Sequence, residues 1–154
     1  MRIKIISIGK KMRSWEKESI DYYLKQLPSN LTIDFVNIGG LQHPKSSKKE
    51  IIEKESRMLI EKISKDDLVI AWDSCGEQIS SENFASFLSE SFEINKSICF
   101  LIGGSFGLSA EIKKKSNKVF SASLLTFPHR LFRLILVEQI YRAHTIAINM
   151  PYHK

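Results

Sequence analysis

Five short apolar runs, each separated from the next by a helical pattern, limit the folds open to this chain more than any other feature. Residues 2–8 are dominated by isoleucine and end at Gly9, and residues 31–38 carry Leu31, Ile33, Phe35 and Val36. Residues 67–73 and 97–102 are almost unbroken in apolar side chains, and 118–123 form a shorter fifth run. Runs of this length, bounded by turn residues, read as strands, and those without alternation as strands buried on both faces. Between them lie helices. Residues 14–26 place Trp15, Ile20, Tyr23 and Leu24 near helical spacing, and Pro28 closes the segment. Ser47 and Glu50 give a capping-box signal for a helix over 48–63. Ser80 or Ser81 caps a helix reaching to about residue 92, a short helix follows Leu108-Ser109, and a long one spans 130–147. The β-α alternation predicts an α/β fold over 1–154, a mostly parallel sheet flanked by helices. Ligands of such sheets sit at the carboxyl ends of the strands. The loops 73–79, 103–107 and 124–129 are therefore the expected binding edges.

Composition narrows the class. A chain of 154 residues buries roughly 70% of its unfolded surface and needs no staples. No apolar run approaches the ~18 residues of a membrane span, and the N-terminal run is too short and strand-like for a signal peptide. A cytoplasmic protein is expected. Cys75 and Cys99 are the two cysteines; neither has a second Cys or His at ligand spacing, so both are expected as reduced thiols and no metal site is expected. The net charge of +6 comes from 23 Lys+Arg and 17 Asp+Glu. It suits phosphate contact in a nucleic acid and equally suits simple solubility.

Unusual residues collect in the last third. Gly103-Gly104 after the fourth strand either lets a cofactor rest on main-chain amides or forms an ordinary tight turn. The spacing matches neither the dinucleotide fingerprint nor a P-loop. Asp73 ends a strand at the same edge, as a hydroxyl acceptor or a capping carboxylate. Residues 121–127 offer three hydroxyls and no charge. His129, Arg130 and Arg133 open the long helix, either as an anion site at its N-terminus or as a surface basic cluster. That helix is apolar almost all round, which predicts burial on every face and a subunit seam, with Glu138 and Arg142 paired within it. The chain closes on Pro151-Tyr152-His153-Lys154, and His43 and His144 read as structural or exposed. No Ser/His/Asp or Cys/His arrangement is legible.

These residues together resemble a known family. Ile8-Gly9-Lys10, Met12, Trp15 and Tyr23-Leu24 begin the match. It continues through Leu101-Ile102-Gly103-Gly104…Gly107-Leu108 and Ser123…Leu125-Thr126…Pro128-His129 with Arg133. It ends with Glu138-Gln139-Ile140-Tyr141-Arg142-Ala143 and Pro151-Tyr152-His153-Lys154. Over its full length the chain resembles the SPOUT class of S-adenosylmethionine-dependent RNA methyltransferases, and within it the bacterial large-subunit rRNA pseudouridine N3-methyltransferases. The resemblance implies a C-terminal trefoil knot, a homodimer seamed by the last helix, and S-adenosylmethionine held by Trp72, Gly103, Gly104, Ala122, Ser123, Leu124, Leu125, Thr126 and Phe127. It implies as target a pseudouridine in a stem-loop of 23S rRNA within the assembled 70S ribosome. The chain departs from the family at Ser105-Phe106, where Pro-Glu is common, and at Trp72, where an aliphatic residue is usual. Direct methyl transfer needs N3 to lose a proton, and His153 or His129 is the base by type, with Tyr152 as a stacking group. Arg133, Arg142 and Lys154 are expected to meet phosphate. A SPOUT tRNA ribose methyltransferase and a non-catalytic RNA-binding homologue are the competing readings.

Overall fold

A computed structural model describes residues 1–41, 45–94 and 97–153; His43 and Lys154 lie outside the described residues. Among the described residues, strands and helices alternate as β1 (Arg2–Ile8), α1 (Ser14–Leu24), β2 (Thr32–Ile38), α2 (Lys48–Ile60), β3 (Asp67–Gln78), α3 (Ser81–Glu93), β4 (Ser97–Ile102), α4 (Ala110–Lys115), β5 (Lys118–Ser121) and α5 (His129–Ala147). The strands form one sheet in the order β2-β1-β4-β3-β5, and every pairing is parallel. All carboxyl ends therefore lie at one edge. The period of two divides the strand residues between two cores. Ile3, Ile5, Ile70, Trp72, Ile98 and Phe100 face α1, α3 and α5, with Phe84, Leu88, Leu136, Val137 and Ile140 packed on them. Ile6, Ile8, Val69, Ala71, Cys99 and Leu101 face the other way, onto Leu59 of α2 and Ile112 of α4. No helix among the described residues is long and apolar enough to cross a membrane.

The element order matches expectation, and the differences have local causes. β3 does not stop at Asp73. Trp72 and Glu77 both align with Phe120 of β5, so residues 73–76 loop out before the strand resumes. Gly76 allows the return, because a Cβ there would stand 2.6 Å from the Phe120 carbonyl carbon. β5 ends at Ser121, two residues early, where hydroxyls take over from the ladder. Ser121 Oγ donates to the Ser123 carbonyl at 3.1 Å, and Ser123 Oγ accepts from the Leu125 amide at 2.9 Å.

The long helix α5 is not covered all round within the chain. Leu136, Val137, Ile140, Tyr141 and Ala143 are buried, while Leu131 is exposed. Arg133 requires a correction. Expected at the surface as a phosphate contact, it is 2% exposed. Its Nη1 donates to Asn37 Oδ1 at 2.7 Å and Ser7 Oγ at 3.2 Å, and its Nη2 donates to the Lys10 carbonyl at 3.5 Å. Glu16, fully buried, supplies the countercharge at 2.5 Å. Its place one turn into an apolar helix commits the guanidinium to the interior, where a charge needs a partner. We predict that Glu16→Gln, which leaves Arg133 buried without its anion, lowers unfolding free energy by about 3–5 kcal/mol in urea titrations. The double variant Glu16→Gln/Arg133→Met should recover much of that loss.

Candidate active site

A cavity of about 430 Å³ opens at the carboxyl edge of the sheet, a size typical of small-molecule sites. Its walls come from three stretches. One is the end of β3 with the looped-out Asp73, Ser74 and Cys75; the second is Ile102 through Leu108; the third is Ser121 through Phe127, apart from Leu124. His129 and Phe132 from the start of α5, Lys48 from the start of α2 and Lys113 from α4 complete it. A second cavity of about 170 Å³ shares Trp72, Ala122, Phe127 and Phe132 with the first and continues between α3 and α5.

The glycine turn is built by close approach of the chain to itself. Gly107 N donates to Gly104 O at 3.0 Å, and Gly107 has φ +80°, a left-handed conformation that favours glycine. A Cβ on Gly103 would stand 2.7 Å from the Gly107 carbonyl carbon, and one on Gly104 would stand 2.6 Å from Glu55 Oε2. Glu55 is buried beneath the turn and accepts from the Leu41 amide at 3.2 Å. Burial holds its carboxyl above the usual carboxylate range, against the lowering pull of that amide. Phe106 at the turn's tip lies under Lys48, whose Nζ is 5.7 Å from the ring centre.

Trp72 sits where the two cavities meet, surrounded by Phe84, Phe100, Phe120 and Phe132 at centroid distances of 5.6–6.1 Å. Its indole Nε1–H is buried without an acceptor. Asp73 receives the Cys75 amide at 3.0 Å and faces Lys113 Nζ at 3.6 Å. His129 is half-buried; burial first, and the Arg133 charge second, push its imidazole below the ordinary histidine value. The cavity thus combines main-chain groups, hydroxyls, aromatic walls and one acid–base pair. Among the described residues no cluster of His, Cys, Asp and Glu could hold a metal ion.

Most residues expected at the site converge here. Trp72, Gly103, Gly104, Ala122, Ser123, Leu125, Thr126, Phe127 and His129 all line the first cavity. Leu124 does not; it is 88% exposed and points out of the wall. The terminal residues do not line it either. α5 has 19 residues and so is about 28 Å long, with His129 at one end and the tail at the other. Tyr152 packs on Tyr141 at 4.8 Å and under the Arg142 guanidinium at 4.8 Å, and donates its hydroxyl to Glu138 Oε1 at 2.9 Å. Burial of this phenol, with its hydrogen bonds, raises its pKa well above the ordinary tyrosine value. Arg142 is paired with Glu138 as the four-residue spacing predicts. His153 Nε2 lies 2.8 Å from Glu82 Oε1 on α3.

Two buried acids, Glu16 and Glu55, escaped the reading of the sequence. Both interrupt apolar stripes: Glu16 stands four before Ile20, and Glu55 lies midway between Ile51 and Leu59. A carboxylate within the buried stripe of a helix is the signal that could have found them.

Comparison with known proteins agrees with this architecture. A family model described as "Predicted SPOUT methyltransferase" matches residues 1–153. The chain is 45% identical to the ribosomal RNA large subunit methyltransferase H of Bacillus cytotoxicus and 40% identical to that of Streptococcus thermophilus, each over 100% of both chains. It is 37% identical to the protein of the same name from Coxiella burnetii, again over both full lengths. A probable methylase family protein from Haemophilus influenzae superposes with a TM-score of 0.55 at 15% identity, covering 99% of this chain and 70% of its own. That likeness speaks for the fold alone.

The His129 environment has a consequence for stability. The folded state holds this proton less tightly than the unfolded state, whose reference value is 6.5. The penalty is therefore absent well above pH 6.5, grows as pH falls through it, and is complete below the folded value. We predict that His129→Gln flattens this loss in urea midpoints compared between neutral and mildly acidic pH.

Proposed function

The chain belongs to the SPOUT methyltransferase family, and we propose that it transfers the methyl group of S-adenosylmethionine to N3 of a pseudouridine in a stem-loop of 23S rRNA, acting as a homodimer on assembled 70S ribosomes in the cytoplasm. The observation that carries the reading is the convergence of three sheet-edge stretches on one cavity of mixed character. Full-length identity to proteins named as large-subunit rRNA methyltransferases supports the substrate. The same reading implies that the path from β4 into α5 is threaded as a trefoil knot.

The residues present fit the cofactor. The cavity volume suits a nucleoside carrying an amino-acid arm. Trp72 offers an unpartnered N–H beside aromatic walls, and Asp73 and Lys113 stand ready for a zwitterion. Gly103, Gly104, Ala122, Ser123, Leu125, Thr126 and Phe127 would hold it largely through the main chain. When bound, S-adenosylmethionine supplies an electrophilic methyl group on a sulfonium. The protein's tasks are then to exclude water, align the acceptor and remove one proton. Because the cofactor is held largely through the main chain and the base is a histidine elsewhere, Ser105-Phe106 and Trp72 reshape the walls without removing a reactive group.

The N3–H proton must leave before or as the N–C bond forms. His129 is in the cavity of its own chain and favours the neutral form, so it can accept a hydrogen bond from the base. His153 cannot reach that cavity from the far end of α5 in the arrangement described. We assign it to the cavity of a second copy, where Tyr152 stacks and His153 takes the proton. The exposed Leu124 and Leu131 beside the cavity suit such a seam. Arg142 and Lys154 would meet phosphate alongside.

The defining experiment treats ribosomes from a strain lacking the enzyme and reads the modified nucleotide by mass spectrometry. Methyl on pseudouridine N3 is expected; methylation of free tRNA in preference, or no cofactor binding in calorimetry, overturns the reading. His153→Ala should lower kcat on the order of 100-fold while cofactor affinity stays unchanged. His153→Ala and His129→Ala variants that both work at wild-type rate across neutral pH would refute the base assignment. Mixing His153→Ala with Gly103→Ala, each strongly impaired alone, should restore activity in about half of the mixed dimer sites if the tail crosses between copies.

A further inference from the structure

The β1–α1 loop and the first turn of α1, with the motif Gly9-Lys10-Lys11-Met12-Arg13-Ser14-Trp15, have no part in the cavity, yet they are held in place more firmly than a connecting segment requires. Gly9 turns the chain out of β1 with φ +149° and donates its amide to the Ile38 carbonyl at 2.8 Å. The Lys10 carbonyl accepts from buried Arg133, Met12 packs against the main core, and the Arg13 amide donates to Glu16 Oε2 at 3.3 Å. Each anchor uses the main chain or the methionine. None uses a cation.

The side chains of Lys10, Lys11, Arg13 and Lys17 are left exposed, and among the described residues none of them makes an ion pair. Elsewhere many cations are paired: Arg2 with Asp34, Lys4 with Asp67, Lys113 with Asp73, Lys115 with Glu111, Arg142 with Glu138. The one acid inside the segment, Glu16, is buried and already neutralised by Arg133. Glu18 follows on the helix, so the local field is set by four cations against one exposed acid. Trp15 stands in their midst, 45% exposed. An exposed indole set among unpaired cations is a stacking platform in a phosphate-attracting field.

The loop's position gives this patch a purpose. Arg133 and Arg130, the residues of α5 that meet Glu16, lie within about one helical turn, roughly 5 Å along the axis, of His129 and Phe132 in the cavity wall. From this we infer that the β1–α1 loop with the first turn of α1 is an RNA-docking surface: Lys10, Lys11, Arg13 and Lys17 contact phosphates and Trp15 stacks on an unpaired base beside the target nucleotide. The inference rests on the proposed RNA substrate. The Glu16–Arg133 pair then acts as a positioning element, fixing the RNA surface relative to the cavity.

The test measures binding of ribosomes, and separately of poly(U), between about 50 and 200 mM salt. In Lys10→Gln/Lys11→Gln/Arg13→Gln the slope of log K against log salt should fall by about 2 to 3 for both RNAs, with S-adenosylmethionine affinity and melting temperature unchanged. A charge-matched control, Lys25→Gln/Lys62→Gln/Lys65→Gln, removes exposed cations at the amino edge of the sheet and should keep the wild-type slope. Trp15→Ala should weaken RNA binding on the order of tenfold with the slope intact. An unchanged slope in the loop variant, an equal loss in the control, or wild-type protein without salt-dependent binding to either RNA overturns the inference. So does a Trp15→Ala protein that sediments as a monomer, since the patch would then be a seam between copies. Ribosomes bound with the expected slope but left unmethylated support the patch and count against the proposed reaction instead.

Discussion

The buried ion pair of Arg133 and Glu16 ties the last helix to the first strands and helix of the chain. Arg133 reaches from the first turns of α5 to Ser7 on β1, Asn37 on β2 and the carbonyl of Lys10, while Glu16 on α1 closes the charge. Those partners lie far apart in sequence and converge only when α5 docks. Leaving either charge alone in the interior is far more costly than any surface pair. The pair therefore makes the position of α5 conditional on the correct placement of β1, β2 and α1. His129 and Phe132, which form one wall of the cavity, are positioned through it.

The other walls follow a different rule. They are shaped by main chain brought closer to main chain than any side chain would permit. Gly103 sits against Gly107, and Gly76 against Phe120, at separations where a Cβ would collide. These contacts fix a turn and an outward loop at neighbouring strand ends, and a binding surface arises between them. Electrostatics is added sparingly: the Asp73–Lys113 pair, Lys48 from α2, the half-buried His129 imidazole and the buried Glu55 carboxyl below the glycine turn.

Much of the architecture was legible because burial on both sheet faces leaves unbroken apolar strands, and capping residues such as Ser47 and Ser80 mark helix starts. The cavity was legible because a parallel sheet gathers all carboxyl ends at one edge. What was not legible depended on distant partners. Nothing near Arg133 in sequence announces that Glu16 will neutralise it, so a surface role looked reasonable. Nothing in residues 73–78 announces a strand that breaks and resumes, since the cause is the backbone of Phe120. Leu124 looked like its neighbours in a run of wall residues, yet the serine bonds that end β5 turn it outward. The tail stands out in composition, but composition is silent about the length of helix that separates it from the cavity of its own chain.

The pair of adjoining cavities bears on the shape of compound the site accepts. Trp72, Ala122, Phe127 and Phe132 form a shared partition, with the smaller chamber continuing toward Ile135, Leu136 and Gln139. A compound that fills the larger chamber and sends a short apolar arm past this partition would contact the Trp72 indole. Its fit would then depend on side chains of the dividing wall as well as on the main-chain surface of the glycine turn.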